Sequence, residues 1–350
     1  MSLAVRGASG RTETSEMRST GTASTVLIVT PYLAAANNGN WRTAARWSEH
    51  LAQRYRVIVQ AADAPLAREA DVLVALHARR SFAAVDRWLT DARGPLIVTL
   101  TGTDLYRDVP GKDADALASM DAADRLIVLQ DDALRVLPPR HRRKADVVFQ
   151  SARSLPRATR KSKARLSCVF VGHLRSEKDP ATVLRAWKHL PADAPVDLSL
   201  IGDALDDALA REALDAAASD PRIRWLGAVP HARTRQAIRR AHVLICASRM
   251  EGGANVVVEA VTSGTAVIAS RISGNLGMLG RDHCGFFEPG SAEGLAELLQ
   301  RCIAEPAFLE RLEGQGSLRA PLFAPDAERA ALHAIVERVL ATGRRPDPTA

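Results

Sequence analysis

From Thr25 onward the chain alternates short, continuous apolar runs with longer amphipathic stretches. In the first half the apolar runs predict strands at Val26–Thr30, Val57–Gln60, Val72–Leu76, Leu96–Leu100, Leu126–Leu129 and Val147–Phe149. The second half predicts Cys168–Val171, Leu198–Ile201, Ile223–Leu226, Val243–Ala247 and Ala266–Ala269. Helical periodicity fills the intervals, for example at Trp41–Arg54, Phe82–Asp91, Ala181–Leu190, Ala204–Ala218 and Arg233–Arg240. Apolar strands each followed by a helix imply parallel sheets covered on both faces. Two such series imply an α/β protein of two Rossmann-like domains, 25–150 and 166–322. Residues 151–165 are polar and basic, contain Pro156, and read as the linker. A last helical pattern, about Asp326–Leu340 within 323–342, is a candidate to return to the first domain.

Composition narrows the classes. With 350 residues, 47% of them hydrophobic, the chain can fill two cores. A net charge of +7 suits anionic ligands, but aromatics are only 4% and form no stacking platform with the basic residues. That argues against a nucleic-acid partner. No apolar run approaches the ~18 residues of a membrane span. Residues 1–24 are rich in Ser, Thr, Gly and Arg, with no apolar segment of signal-peptide type, and are expected to be a disordered extension. Cys168, Cys246, Cys284 and Cys302 are too far apart for a metal motif or a disulfide pattern, so a reducing cytoplasm is expected.

Strand ends of such sheets carry ligand chemistry. Arg249-Met250-Glu251-Gly252-Gly253-Ala254-Asn255-Val256-Val257-Val258-Glu259 places two carboxylates around a glycine turn. Gly252 and Gly253 allow close backbone approach to a ligand, and Asn255 is a natural N-cap for a helix to about Ser263. Amides at that helix start suit a diphosphate, and carboxylates suit sugar and ribose hydroxyls. A bare helix cap with a surface Glu is the competing reading, and Val256-Val257-Val258 also favours a strand. Gly172 permits a tight strand exit into Arg175 and Lys178, a cation pair fit for a leaving diphosphate. In the first half, three strand ends converge. They are Asn38-Gly39-Asn40 followed by Arg42 and Arg46, then His77-Ala78-Arg79-Arg80, then Thr101-Gly102-Thr103-Asp104.

The frame Gly172-His173-Leu174…Lys178, Trp225-Leu226-Gly227, Glu251…Glu259 and Ser263-Gly264-Thr265 resembles the retaining glycosyltransferases of the GT-B fold, the large group four family. The likeness covers nearly all of the chain beyond residue 24. It departs at His173, where that family usually has Arg. Longer strings resemble the selenosugar synthases of selenoneine biosynthesis: Leu73–Ser81, Leu100–Asp108, Ser248–Val257 and Ala269–Asn275. The resemblance implies two domains facing across a crevice, a UDP-sugar such as UDP-N-acetylglucosamine as donor, selenophosphate as acceptor, and no metal or other cofactor. It implies donor contacts at Gly172, Glu251, Gly252, Gly253, Ala254, Asn255, Val256 and Glu259. Lys178, Arg175 and His77 are the catalytic candidates. Asn38, Gly39, Asn40, Arg42, Arg79, Arg80, Thr101 and Thr103 are the acceptor candidates, because selenophosphate needs cations and hydroxyl donors around its phosphate. Rival readings are a glycosyltransferase with another acceptor and a non-catalytic nucleotide-sugar binder. Oligomeric state is not legible in the sequence.

Overall fold

The computed structural model describes residues 23–33, 39–91, 93–158, 161–162 and 164–342. All but residues 23 and 24 of the extension expected over 1–24 lie outside them, as does Asn38.

The first sheet has the order β2-β1-β3-β4-β5-β6. Its strands are β1 (Thr25–Thr30), β2 (Arg56–Ala61), β3 (Val72–Leu76), β4 (Leu96–Leu100), β5 (Arg125–Val128) and β6 (Ala145–Val147). The second has the order β12-β11-β10-β7-β8-β9. It comprises β7 (Leu166–Val171), β8 (Val196–Ile201), β9 (Ile223–Trp225), β10 (Val243–Cys246), β11 (Ala266–Ser270) and β12 (Phe286–Phe287). Every pairing is parallel. The N-terminal domain carries helices α1 (Gly39–Leu51), α2 (Phe82–Thr90), α3 (Ala114–Ala122), α4 (Ala133–Val136) and α5 (Pro139–Arg142). Packed around the second sheet are α6 (Pro180–Lys188), α7 (Asp207–Ser219), α8 (His231–Arg240), α9 (Asn255–Val261), α10 (Ser273–Leu279), α11 (Ala292–Ala304) and α12 (Pro306–Arg319). A long last helix, α13 (Pro325–Ala341), ends the described chain.

Strand order decides where chemistry can sit. In the first sheet the winding reverses between β1 and β3, and in the second between β7 and β10. At such a switch point adjacent loops part to opposite faces and leave a crevice at the carboxyl ends. Those ends are Tyr32 and His77 in one domain, and Gly172 and the 247–251 loop in the other.

β1, β3 and β4 are buried along their whole length, which explains why they read as unbroken apolar runs. α13 lays Leu332, Ile335, Val336 and Val339 on the core formed by Val26, Ile28, Trp47, Leu51 and Val72. It therefore packs on the N-terminal domain, while Phe323, placed with that helix by the pattern, is buried in the C-terminal core. Glu328 of α13 is buried and accepts hydrogen bonds from Arg46 Nε (2.7 Å), Trp47 Nε1 (2.7 Å) and Ser151 N–H (3.0 Å). One carboxylate thus ties α13, α1 and the start of the linker together.

One strand expectation shifts, and one strand was not anticipated. The sixth strand is Ala145–Val147 because Ala145 pairs with Leu126; Phe149 instead leaves the sheet and stacks edge-on to Phe323 across the domains. β12 is two residues long, too short to carry a period.

Candidate active site

On the N-terminal side, Asp104 organises the crevice mouth. Its carboxylate is fully buried and accepts the backbone N–H groups of Thr101 (2.8 Å), Gly102 (2.8 Å), Leu105 (3.0 Å) and Ala78 (2.9 Å). It welds the loop after β4 to the loop after β3. His77, at the end of β3, holds φ at 73°, the left-handed region that side chains other than glycine rarely adopt. Its Nδ1 accepts the Arg80 N–H at 3.3 Å, so the proton sits on Nε2 and is donated to Thr103 Oγ1 at 2.8 Å. Burial pushes the His77 pKa down, against the opposing pull of Asp104. The ring is neutral, and its 3.7 Å approach to Asp104 is not an ion pair.

On the C-terminal side, the tight turn after β7 brings Lys178 back over Gly172, where an added Cβ would lie 3.4 Å from Lys178 Cγ. Lys178 Nζ donates to Glu251 Oε1 at 2.5 Å, and Ser248 Oγ donates to the same oxygen at 2.6 Å. The 249–251 loop is tied to that turn by Arg249 N–H on the Glu177 carbonyl (2.9 Å) and by the Arg249–Asp179 pair (3.0 Å). One turn into α9, Glu259 is buried. Its Oε1 meets His231 Nε2 at 2.7 Å and lies 3.9 Å from Arg42 Nη1. Its Oε2 is buried with no hydrogen-bond partner. A buried carboxylate oxygen left unsatisfied is costly, on the order of 1–3 kcal/mol, and is a natural place for ligand hydroxyls.

The expected cap and end of α9 are corrected. Asn255 is not the N-cap of α9; Ala254 is, without a side-chain cap bond, and Asn255 Oδ1 accepts from Arg46 Nη1 at 3.4 Å. The helix ends at Val261 rather than Ser263, and the Val256–Val258 run is helical because Val257 and Val258 fill the core under it. Gly252 and Gly253 bring domain against domain in this structure. A Cβ on Gly252 would collide with the Thr101 carbonyl, and one on Gly253 would lie 2.8 Å from Leu129 Cβ. Ala254 is buried in the C-terminal core and Val256 packs beside it, so what either could offer a ligand is its backbone N–H.

The acceptor set is not brought together as one cationic pocket. Arg42 reaches Glu259 on the donor side. Arg46 is committed to Glu328. Arg79 turns outward to Asp113 (2.9 Å), and Arg80 binds the Tyr32 hydroxyl (2.6 Å). Thr101 packs its carbonyl on Gly252, Thr103 receives His77, and Gly39 and Asn40 open α1. Arg175 is exposed, 3.8 Å from Glu177. His173 Nδ1 is buried without a partner, and burial, then Arg175, lowers its pKa.

Four contributors escape the sequence: Ser248, His231, Tyr106 and Ser273. Ser248 stands in the Ser-Arg-Met-Glu string and could have been read from it. The Tyr106 hydroxyl accepts from Gln130 Nε2 (2.7 Å) and shares a hydrogen bond with Ser273 Oγ (3.1 Å) across the domains. Nothing local in the sequence announces that bond. Among the described residues no three metal-ligating side chains are grouped, and no helix is long and apolar enough to cross a membrane.

Residues 152–318 match the family described as Glycosyl transferases group 1. No curated protein sequence matches the chain. Similar solved structures include HepE of Anabaena in complex with UDP and glucose, at 13% identity and TM-score 0.72, covering 90% of this chain and 100% of that one. Sucrose-phosphate synthase of Thermosynechococcus elongatus is 16% identical with TM-score 0.76, over 91% of this chain and 100% of that one. The pneumococcal O-GlcNAc transferase GtfA, in complex with UDP and GlcNAc, is 18% identical with TM-score 0.61, over 77% of this chain and 57% of that one. Residues 152–318 thus match the model of the group 1 glycosyl transferases, and the chain as a whole has the GT-B fold.

Proposed function

We propose that the chain transfers the sugar of a UDP-sugar, UDP-N-acetylglucosamine or a related UDP-hexose, to selenophosphate, giving a 1-seleno-sugar. The observation that carries the donor half is the arrangement at the second switch point. Lys178 is held on Glu251, and one turn along α9 Glu259 keeps a buried oxygen without a partner. A ribose diol satisfies that oxygen, and Lys178 exchanges Glu251 for the leaving diphosphate. The family match, and the UDP and sugars held by HepE and GtfA, support that donor class.

The acceptor half rests on the strings shared with selenosugar synthases and on the opposite mouth. Asp104 is consumed by four backbone N–H groups and His77 is tied at both ring nitrogens. Neither is arranged to strip a proton from a sugar hydroxyl. A nucleophile that arrives anionic needs no such base. Selenium attacks the anomeric carbon, the C–O bond to UDP breaks, and UDP leaves with the electron pair. Water then cleaves the Se–P bond and releases phosphate. Lys178 stabilises the charge that grows on UDP.

Incubation with UDP-N-acetylglucosamine and selenophosphate, followed by ³¹P resonance and product mass, tests this. UDP, phosphate and a seleno-sugar are expected together. UDP release that ignores selenophosphate assigns another acceptor. Nucleotide-sugar binding without turnover in the presence of varied acceptors assigns a non-catalytic binder.

A further inference from the structure

Helix α8 starts at His231, directly after Pro230 at its N-cap. It lies beside α9 and points the same way. His231 Nε2 meets Glu259 Oε1 at 2.7 Å, and one turn further along both segments Arg235 Nη2 reaches Ser263 Oγ at 3.5 Å. The linker ties the two helices together. Arg235 Nη2 donates to the Arg153 carbonyl (2.7 Å), Arg239 Nε to the Pro156 carbonyl (2.6 Å), and the Leu155 N–H to the Thr262 carbonyl at the end of α9 (3.2 Å). His231 is therefore presented from a braced helix, although its own side chain is half-exposed at the donor crevice.

His231, Arg42 and Arg235 all bear on Glu259, and they do different things. Arg42 Nη1 stands 3.9 Å from Oε1, a charge contact outside hydrogen-bonding range. Burial lowers the Arg235 pKa against the opposing charge of Glu259, but the Nη2 group is spent on Arg153 and Ser263. His231 makes a short hydrogen bond. An ionised carboxylate only accepts, so Nε2 carries the proton and donates it to Oε1. That bond fixes how the carboxylate is turned, and the turn leaves Oε2 buried without a partner. We propose that His231 is a positioning residue of the donor site: by holding Oε1 it keeps Oε2 aimed at the ligand, and so makes the site selective for a ribose over a deoxyribose. This inference rests on the nucleotide-sugar reading of the site. A hydroxyl of the ribose donates to Oε2; an analogue without it leaves a buried oxygen unpaired and is rejected. A carboxylate released from His231 can turn away and tolerate the analogue.

The test compares calorimetric affinities for UDP and for its 2′-deoxy and 3′-deoxy analogues, taking the larger of the two preferences. The wild type is expected to prefer UDP by roughly tenfold or more, the usual worth of a hydrogen bond to a charged group. In His231→Ala the preference should shrink to about threefold or less. His231→Gln should restore it, because the glutamine amide nitrogen falls where Nε2 stands, whereas the shorter His231→Asn should not. In Glu259→Gln the preference should be lost, and adding His231→Ala should change it no further, since His231 acts through that carboxylate. A His231→Ala variant that discriminates like the wild type, or that loses all three ligands together, overturns the proposal, and so does a glutamine variant that behaves like alanine. A wild type that binds UDP and both analogues alike overturns it too, while leaving the nucleotide-sugar reading in place. A wild type that binds no UDP sinks that reading and this inference with it.

Discussion

In the proposed reaction, Lys178 is the residue on which the donor chemistry converges. Its ammonium is mostly buried against Glu251, which also takes the Ser248 hydroxyl, so the cation is preplaced rather than recruited. A charge that grows on the leaving diphosphate draws more from Lys178 in the transition state than in the ground state. Lys178→Ala is therefore expected to lower kcat by about two orders of magnitude while the UDP-sugar KM changes little. Steady-state kinetics decide it, and a pure KM effect would reduce Lys178 to a binding contact. The same reasoning concerns metal. With a fixed cation at the turn after β7, turnover should persist in excess EDTA; loss restored by Mg²⁺ or Mn²⁺ would contradict a cation-only mechanism. The placement of these side chains at one strand-end crevice was partly readable beforehand, because Glu251, Glu259 and Lys178 lie in short local motifs. The acceptor arginines were not, because each one's partner comes from elsewhere in the chain: Asp113 for Arg79, Glu259 for Arg42, Glu328 for Arg46.

At the scale of elements, α13 decides how the N-terminal domain is held. It covers the core with Leu332, Ile335, Val336 and Val339, and it inserts Glu328 among Arg46, Trp47, His50 and Ser151. Burial alone would raise the Glu328 pKa, but the charge of Arg46 and the hydrogen bonds from His50, Arg46 and Ser151 outweigh it and pull it from 4.5 to about 2. A folded-state pKa below the unfolded one gives stability that is present above pH 4.5 and is lost as pH falls toward 2. The shift corresponds to about 3 kcal/mol. Urea unfolding of Glu328→Gln should show a loss of that order at pH 7 and a flatter profile between pH 5 and pH 3. A profile parallel to the wild type would clear Glu328 of the acid sensitivity. Buried parallel strands announced themselves as apolar runs, so most of both sheets was legible. α10 was not, since Gly274 and Gly277 interrupt its pattern; they are there because Glu251 and Gln130 press against that helix. Such close approaches are tertiary facts and leave no periodic trace.

Across the whole molecule the two domains meet through their backbones at the centre of the seam. Gly252 lies on the Thr101 carbonyl, and Gly102, at φ 139°, would place a Cβ 2.9 Å from the Gly252 nitrogen. Around that contact stand the Arg42–Glu259 and Arg46–Asn255 contacts, the Tyr106–Ser273 bond and the Arg281–Asp132 pair. Each domain has its own cores, so the seam can open without unfolding either one. Group transfer across a crevice requires the reacting atoms to come within ~3–3.5 Å, and small misplacements are costly in rate. Gly252→Ala puts a methyl group where the Thr101 carbonyl now sits, and that oxygen is backbone with nowhere to rotate. The domains must then stand apart by a fraction of a carbon radius or more. Thermal unfolding should move little, because no core residue is touched, whereas kcat should fall by about a hundredfold. Donor affinity should weaken less than kcat, since Lys178, Glu251 and Glu259 all belong to one domain and stay in register. Small-angle scattering supplies the independent reading: the alanine variant should be measurably more extended than the wild type in the presence of UDP. Full activity together with a wild-type radius of gyration would show that the Gly252–Thr101 contact is incidental to catalysis.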